Sequence, residues 1–267
     1  MSTIDEAIQI PVDRGSIAGT FITPGTLVPG VLFVHGWGGN QEQYHSRARQ
    51  IAALGCVCLT FDLRGHADTR PQHETVTRED NLTDVLAAYD ALRSRRHVDP
   101  AAIAVVGSSY GGYLASILTT LRPVKWLGLR APALYIDSGW EIPKVQLHRD
   151  QDLKAYRDSV VPADDNRALR ACRDFQGDVI LVESECDNVV PRTVLTSYRE
   201  AFKQARSLTY RCIEGADHGL TQERDLRAYN SLLINWLTEM IFGARAGNAV
   251  PAHPALPSEP EAPPESP

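Results

Sequence analysis

The hexapeptide Gly107-Ser108-Ser109-Tyr110-Gly111-Gly112 follows the apolar run Ile103–Val106. It precedes Tyr113, Leu114, Ile117, Leu118 and Leu121, which recur at helical spacing. A strand that turns sharply into a helix can hold a serine at the tip, its hydroxyl projecting above the sheet edge. The backbone of such a turn is crowded two residues before and after the tip, where glycine removes the obstacle of a Cβ atom. Gly107 and Gly111 stand at those places relative to Ser109, and Gly112 lets the helix pack closely on the sheet. Ser108 lacks this spacing and is the weaker candidate. The helix N-terminus beneath Ser109 would favour negative charge developing there, so the chemistry to expect is nucleophilic attack by a serine.

A serine hydroxyl is a poor nucleophile at neutral pH and needs a base. Of the eight histidines, His218 is the best placed. It lies in Gly215-Ala216-Asp217-His218-Gly219, directly after the strand-like Leu208–Ile213, where flanking glycines leave it free to reach across a sheet edge. The base in turn needs a carboxylate to set its tautomer. Asp187, beyond the strand-like Val179–Val182 and ahead of Asn188-Val189-Val190-Pro191, fits that role. Asp217 adjoins His218, and adjacent side chains seldom face each other; Glu183 and Glu185 come too early in the strand. The tetrahedral oxyanion of acyl transfer needs N–H donors. His35-Gly36-Trp37-Gly38-Gly39 follows the short apolar run Val31–Val34 and leaves backbone amides available. The amides of Trp37 and Tyr110 are expected to form the hole, with His35 shaping the loop.

The elements that would position these residues alternate. Ile17–Ile22, Val31–Val34, Cys56–Phe61, Ile103–Val106, Trp126–Leu129, Val179–Val182 and Leu208–Ile213 read as strands. Gln41–Leu54, ending at the natural C-cap Gly55, the stretch carrying Leu82, Val85, Leu86, Tyr89 and Leu92, and Leu226–Ile241 read as helices. Short, continuously apolar strands alternating with helices predict an α/β fold with a mostly parallel, doubly wound sheet covered on both faces. Residues 136–172 are polar, contain Pro143 and Pro162, and break the alternation, so they are expected to form a small helical cap. The core would then be 1–135 and 173–243. Residues 244–267, with seven prolines between 251 and 267, are expected to be a disordered tail.

With these motifs in place, the chain resembles the α/β-hydrolase superfamily across nearly all of residues 3–242. The resemblance rests on His35 through Gly39, Asp62-Leu63-Arg64-Gly65-His66, Gly107 through Gly112, Asp187 through Pro191, and Asp217-His218-Gly219. It implies a Ser109–Asp187–His218 triad in that chain order, with an oxyanion hole. Within the superfamily the chain is most similar to compact bacterial esterases and to the dienelactone-hydrolase and serine-peptidase branches. It departs from the pattern in two places. Ala67, Asp68 and Thr69 follow His66 where glycine and serine are common, and a common glycine near Asp187 is missing. Asp62 and Arg64 are expected to anchor their loop.

Composition narrows the partners. The 267 residues carry a formal net charge of -6, which argues against nucleic acid and anionic membrane surfaces. No apolar run is long enough to span a bilayer, and the acidic start Met1–Glu6 lacks a secretory signal, so a cytoplasmic location is expected. The odd set Cys56, Cys58, Cys172, Cys186 and Cys212 has no zinc spacing and reads as buried thiols in a reducing compartment. Neither metal nor organic cofactor is expected, and no stretch identifies a subunit interface. The expected substrate is a small-molecule ester, with Tyr135 and Trp140 as candidate pocket walls. The alternatives are an amide substrate, cleaved as by a serine aminopeptidase, and a non-catalytic binding module on the same fold.

Overall fold

The computed structural model describes residues 4–23 and 28–248. Eight strands form one sheet: β1 Ile4–Val12, β2 Gly15–Thr23, β3 Val28–Val34, β4 Val57–Phe61, β5 Val98–Ser108, β6 Trp126–Arg130, β7 Asp178–Ser184 and β8 Ser207–Ile213. Their spatial order is β1-β2-β4-β3-β5-β6-β7-β8. The first two pairings, β1 with β2 and β2 with β4, are antiparallel, and every later one is parallel. The helices are α1 Glu42–Ala52, α2 Arg78–Arg93, α3 Tyr110–Leu118, α4 Lys144–Asp150, α5 Leu153–Arg157, α6 Arg167–Asp174, α7 Arg192–Ala201 and α8 Glu223–Asn248.

The side-chain period of two divides each strand between two cores. Leu32 and Val34 of β3, Val105 of β5, Leu127 and Leu129 of β6 and Val179 and Leu181 of β7 pack under α2, α3, α6 and α7. Their neighbours Val31, Phe33, Ala104, Val106, Trp126, Ile180 and Val182 face α1 and α8. Because both faces are covered, β3, β4, β6 and β7 are buried at every position, which is why they read as unbroken apolar runs. The parallel strands all end at one edge, and the loops that leave it hold Ser109, Asp187 and His218.

The structure departs from the sequence reading in four places. First, β1 was not anticipated. Its alternation of Ile8, Ile10 and Val12 is interrupted by Pro11, a residue confined to edge strands, and β1 is an edge strand. Second, the expected cap boundary at 172 falls inside α6. That helix buries Ala168, Leu169 and Cys172 in the main core against α3, as the crossover between β6 and β7. The stretch of 136–172 before Arg167 carries the short helices α4 and α5, and it too buries Leu153 and Val161 in the main core. Third, α8 continues to Asn248, past the expected boundary at Ala244, while the proline-rich residues 249–267 lie outside the described residues. Fourth, Cys56, Cys58 and Cys172 are buried but Cys186 and Cys212 are exposed. Among the described residues no helix is long and apolar enough to cross a membrane.

Candidate active site

Ser109 joins β5 to α3 with φ +51° and ψ -118°, a left-handed backbone that side chains other than glycine avoid. The glycines around it are obligatory. A Cβ on Gly107 would lie 2.4 Å from the Gly111 carbonyl oxygen, and one on Gly111 would lie 2.2 Å from that of Val34. The turn is held by the Ser109 amide on the Arg130 carbonyl at 2.9 Å and by the Tyr113 and Ala133 amides on the Ser109 carbonyl. Strain of this kind persists only where the surroundings over-determine it.

The loop after β8 brings His218 to this serine. Its Nε2 lies 3.0 Å from Ser109 Oγ, and its Nδ1 lies 2.6 Å from Asp187 Oδ2. A carboxylate can only accept, so Nδ1 carries the proton and Nε2 presents its lone pair to the hydroxyl. Burial pushes the Asp187 carboxyl up. Hydrogen bonds from His218 and from the Val190 and Val189 amides outweigh this and hold it below the usual carboxylate range. Those two amides, each 2.8 Å from Asp187 Oδ1, close the turn on the carboxylate itself. Such an Asx turn accounts for the absence of the expected glycine. The rival carboxylates are engaged elsewhere: Glu185 accepts from the Gly215 amide, Glu183 from the Tyr210 hydroxyl, and Asp217 from Thr221.

The loop after β3 lies against the nucleophile, so that a Cβ on Gly36 would sit 3.2 Å from Ser109 Cβ. Gly39 donates to the Gly36 carbonyl at 3.0 Å, closing a turn in which Gly38 has φ +80°. The Gly38 amide donates to His66 Nε2 at 3.0 Å. The Trp37 amide has no acceptor among the described residues. The Tyr110 amide opens α3, where no intrahelical acceptor exists. His35 and His66 fix the loop as neutral rings. His35 donates from Nδ1 to the Gly36 carbonyl and accepts the Leu63 amide at Nε2, while His66 donates to the Arg64 carbonyl. Burial lowers both to about 4, with the proximity of His35 adding to the effect on His66. Asp62 takes both the amide and the side chain of Gln41, and Arg64 is locked to Asp84, so both anchor the loop as expected. Ala67 adopts φ +44° where the pattern would carry glycine.

In front of Ser109 opens a cleft of about 420 Å³. Its walls include Trp37, Gln43, Tyr44 and Arg47 from the β3–α1 side, Ser108 and Arg130 from strand ends, and Leu220, Leu226 and Tyr229 from the last loop and helix. Tyr135 and Trp140 are not among them. Tyr135 is 8% exposed and packs edge-on against Tyr110 and Tyr113, with Lys144 and Arg157 over its ring. Trp140 stacks on Tyr113 between Arg78 and Arg167. Both fasten the α4–α5 segment onto α3. Lys144 of α4 sits among the rings of Trp37, Tyr110 and Tyr135, where burial lowers its pKa. Reading the sequence did not find Arg47 or Arg130. The available signal was that Tyr44, Arg47, Ala48 and Ile51 share one helical face, placing a cation in an otherwise buried stripe.

Residues 31–232 match the family described as the alpha/beta hydrolase family. An uncharacterized protein of Mycobacterium tuberculosis is 27% identical over 221 residues, which is 81% of this chain and 72% of that protein. The crystal structure of a dienelactone hydrolase from Anabaena variabilis superposes with a TM-score of 0.65 at 17% identity, covering 90% of this chain and 99% of that one. Est1E from Butyrivibrio proteoclasticus gives 0.66 at 17% identity, covering 88% and 99%. These two likenesses are of fold.

Proposed function

Because the chain belongs to the alpha/beta hydrolase family, we propose that it is a serine hydrolase cleaving carboxylic esters through an acyl-enzyme on Ser109. One observation carries this reading. The Ser109 hydroxyl, held outward by a left-handed backbone, the lone pair of His218 and the Asp187 carboxylate form a continuous hydrogen-bonded line of 3.0 and 2.6 Å.

In the first half-reaction Ser109 Oγ bonds to the ester carbonyl carbon while its proton passes to His218 Nε2. The charge that develops on the carbonyl oxygen is met by the Trp37 and Tyr110 amides. The carbon–oxygen bond to the alcohol then breaks, and the alcohol leaves with the proton from His218. Water repeats the sequence on the acyl-serine, releasing the acid and restoring the serine hydroxyl. Asp187 stabilises the imidazolium that forms in each half. An amine-recognising peptidase would want a carboxylate facing Ser109. Among the described residues lining the cleft none is acidic, and Asp137 is taken up by the Arg167 amide and the Arg170 guanidinium.

Hydrolysis of p-nitrophenyl esters from acetyl to dodecanoyl tests the reading. Wild-type protein should turn over at least one chain length, and Ser109→Ala should lower kcat by about 10⁴-fold or more. Turnover that survives this substitution would remove Ser109 from the chemistry.

A further inference from the structure

The cleft beside Ser109 is cationic in a chain whose net charge is -6. Arg47 and Arg130 are 5% and 7% exposed, and both line it. Burying a guanidinium is costly unless its charge and its five N–H donors are matched. Other buried arginines spread their donors over several protein acceptors: Arg78 donates to the Ile136 and Ser138 carbonyls and Arg157 to those of Leu134 and Val189, neither with a carboxylate. Arg64 is bound by Asp84 and Asp13 and by the Asp80 carbonyl. Arg47 is treated differently. Its Nε donates to Asn230 Oδ1 at 2.6 Å, and its guanidinium lies over the rings of Tyr44 and Tyr229 at 5.2 and 4.7 Å. Arg130 donates from Nη1 to the His218 carbonyl at 2.7 Å, and its Nε is 3.4 Å from Ser108 Oγ. Among the described residues neither guanidinium has a carboxylate partner, and the remaining donors have no protein acceptor.

We infer that this pair receives a carboxylate on the substrate. Resting on the serine-hydrolase reading above, the inference makes the favoured substrate an ester that carries a free carboxylate as well as the scissile carbonyl. A planar guanidinium fork matches a carboxylate through two parallel N–H···O bonds, and charge-assisted bonds of this kind are the strong ones. The surrounding Tyr44, Tyr229, Leu220 and Leu226 give the cleft apolar walls for the carbon chain between the two groups. Those walls also shield the ion contact from water, which strengthens it. Arg47 is the specificity residue to test. It makes no contact with the triad, whereas Arg130 also holds the His218 loop.

The experiment compares kcat/KM for mono-p-nitrophenyl succinate, glutarate and adipate with the same esters methylated on the free acid. A second series places the carboxylate on the leaving phenol. Wild-type protein should favour the free acid in one series by about 10-fold or more. Arg47→Met should cut that preference by about 10- to 100-fold, the range for losing a charge-assisted hydrogen bond. Arg47→Lys, which keeps the charge but loses the fork, should fall between. The ratio of two substrates on one protein is insensitive to the fraction that folds. Monomethyl succinate should also bind Ser109→Ala protein more tightly than dimethyl succinate in calorimetry. Equal or better turnover of the methylated esters in both series overturns the inference while leaving the hydrolase reading standing. So does a preference unchanged in Arg47→Met, or a stronger preference for a phosphate-bearing ester. Turnover of no ester, with Ser109 inert to a fluorophosphonate, overturns both.

Discussion

In the proposed reaction His218 acts as a base in one tautomer only, the one its contact with Asp187 selects. Asp187→Asn would keep an oxygen for the Val189 and Val190 amides, so the turn survives, but its NH₂ facing Nδ1 would force the proton onto Nε2. The expected loss in kcat is on the order of 10⁴-fold with folding stability little changed, as measured by ester turnover and urea unfolding side by side. That Ser109, Asp187 and His218 would meet was legible in the sequence, because each stands in a recognisable local frame. Ser109 has glycines at both crowded positions, and His218 has a glycine on either side of its loop. The walls of the cleft were not legible. Tyr135 and Trp140 are aromatic residues near the site in sequence, but their rings are consumed in fastening α4 and α5 to α3. Arg47 reads as a surface helix residue until its face is seen to be the one α8 covers, where it meets Asn230 and Tyr229.

The turns between elements are where backbone geometry and catalysis meet, and their glycines divide into two kinds. At Gly111 the obstacle is backbone 2.2 Å away, which cannot move without separating β3 from α3. Gly111→Ala should cost roughly 3 kcal/mol or more and abolish turnover, read by urea unfolding and ester hydrolysis. At Gly38 nothing lies within 4 Å of an added Cβ, yet φ is +80°. Gly38→Ala should cost only about 1–2 kcal/mol, the strain of a left-handed alanine, while disturbing the loop that presents the Trp37 amide. Ala67 gives the reverse experiment. It already bears that strain at φ +44°, so Ala67→Gly should stabilise the fold by up to about 1 kcal/mol; a lowered Tm would contradict this. The strand-and-helix alternation was legible because buried parallel strands leave continuous apolar runs. β1 and α6 were obscured for opposite reasons. β1 carries its apolar residues on one face and a proline within the run. The core face of α6 is a short stripe of small residues set among arginines.

Over the whole molecule, the neutral histidines tie stability to pH. His35 and His66 titrate near 4 when folded against about 6.5 when unfolded. Between those values the unfolded chain binds two protons that the fold refuses, so stability falls as pH drops. Asp84, raised by burial to about 6, works in the opposite sense by holding one proton that the unfolded chain releases. Two less one leaves a net uptake of one proton from these three groups, about 1.4 kcal/mol per pH unit between roughly pH 6 and 4. Urea midpoints at pH 7, 6 and 5 should decline accordingly, and His66→Gln should flatten the decline by about one proton; an undiminished slope in that variant would exclude His66 from the effect. The proposed reaction runs through one atom, Ser109 Oγ, which a covalent label can find. Protein treated with a fluorophosphonate, digested and analysed by mass spectrometry should carry the label on the peptide containing Ser109, and should lose it in Ser109→Ala and in His218→Ala. Label on Ser108 or elsewhere, or none on a folded protein, would contradict the account.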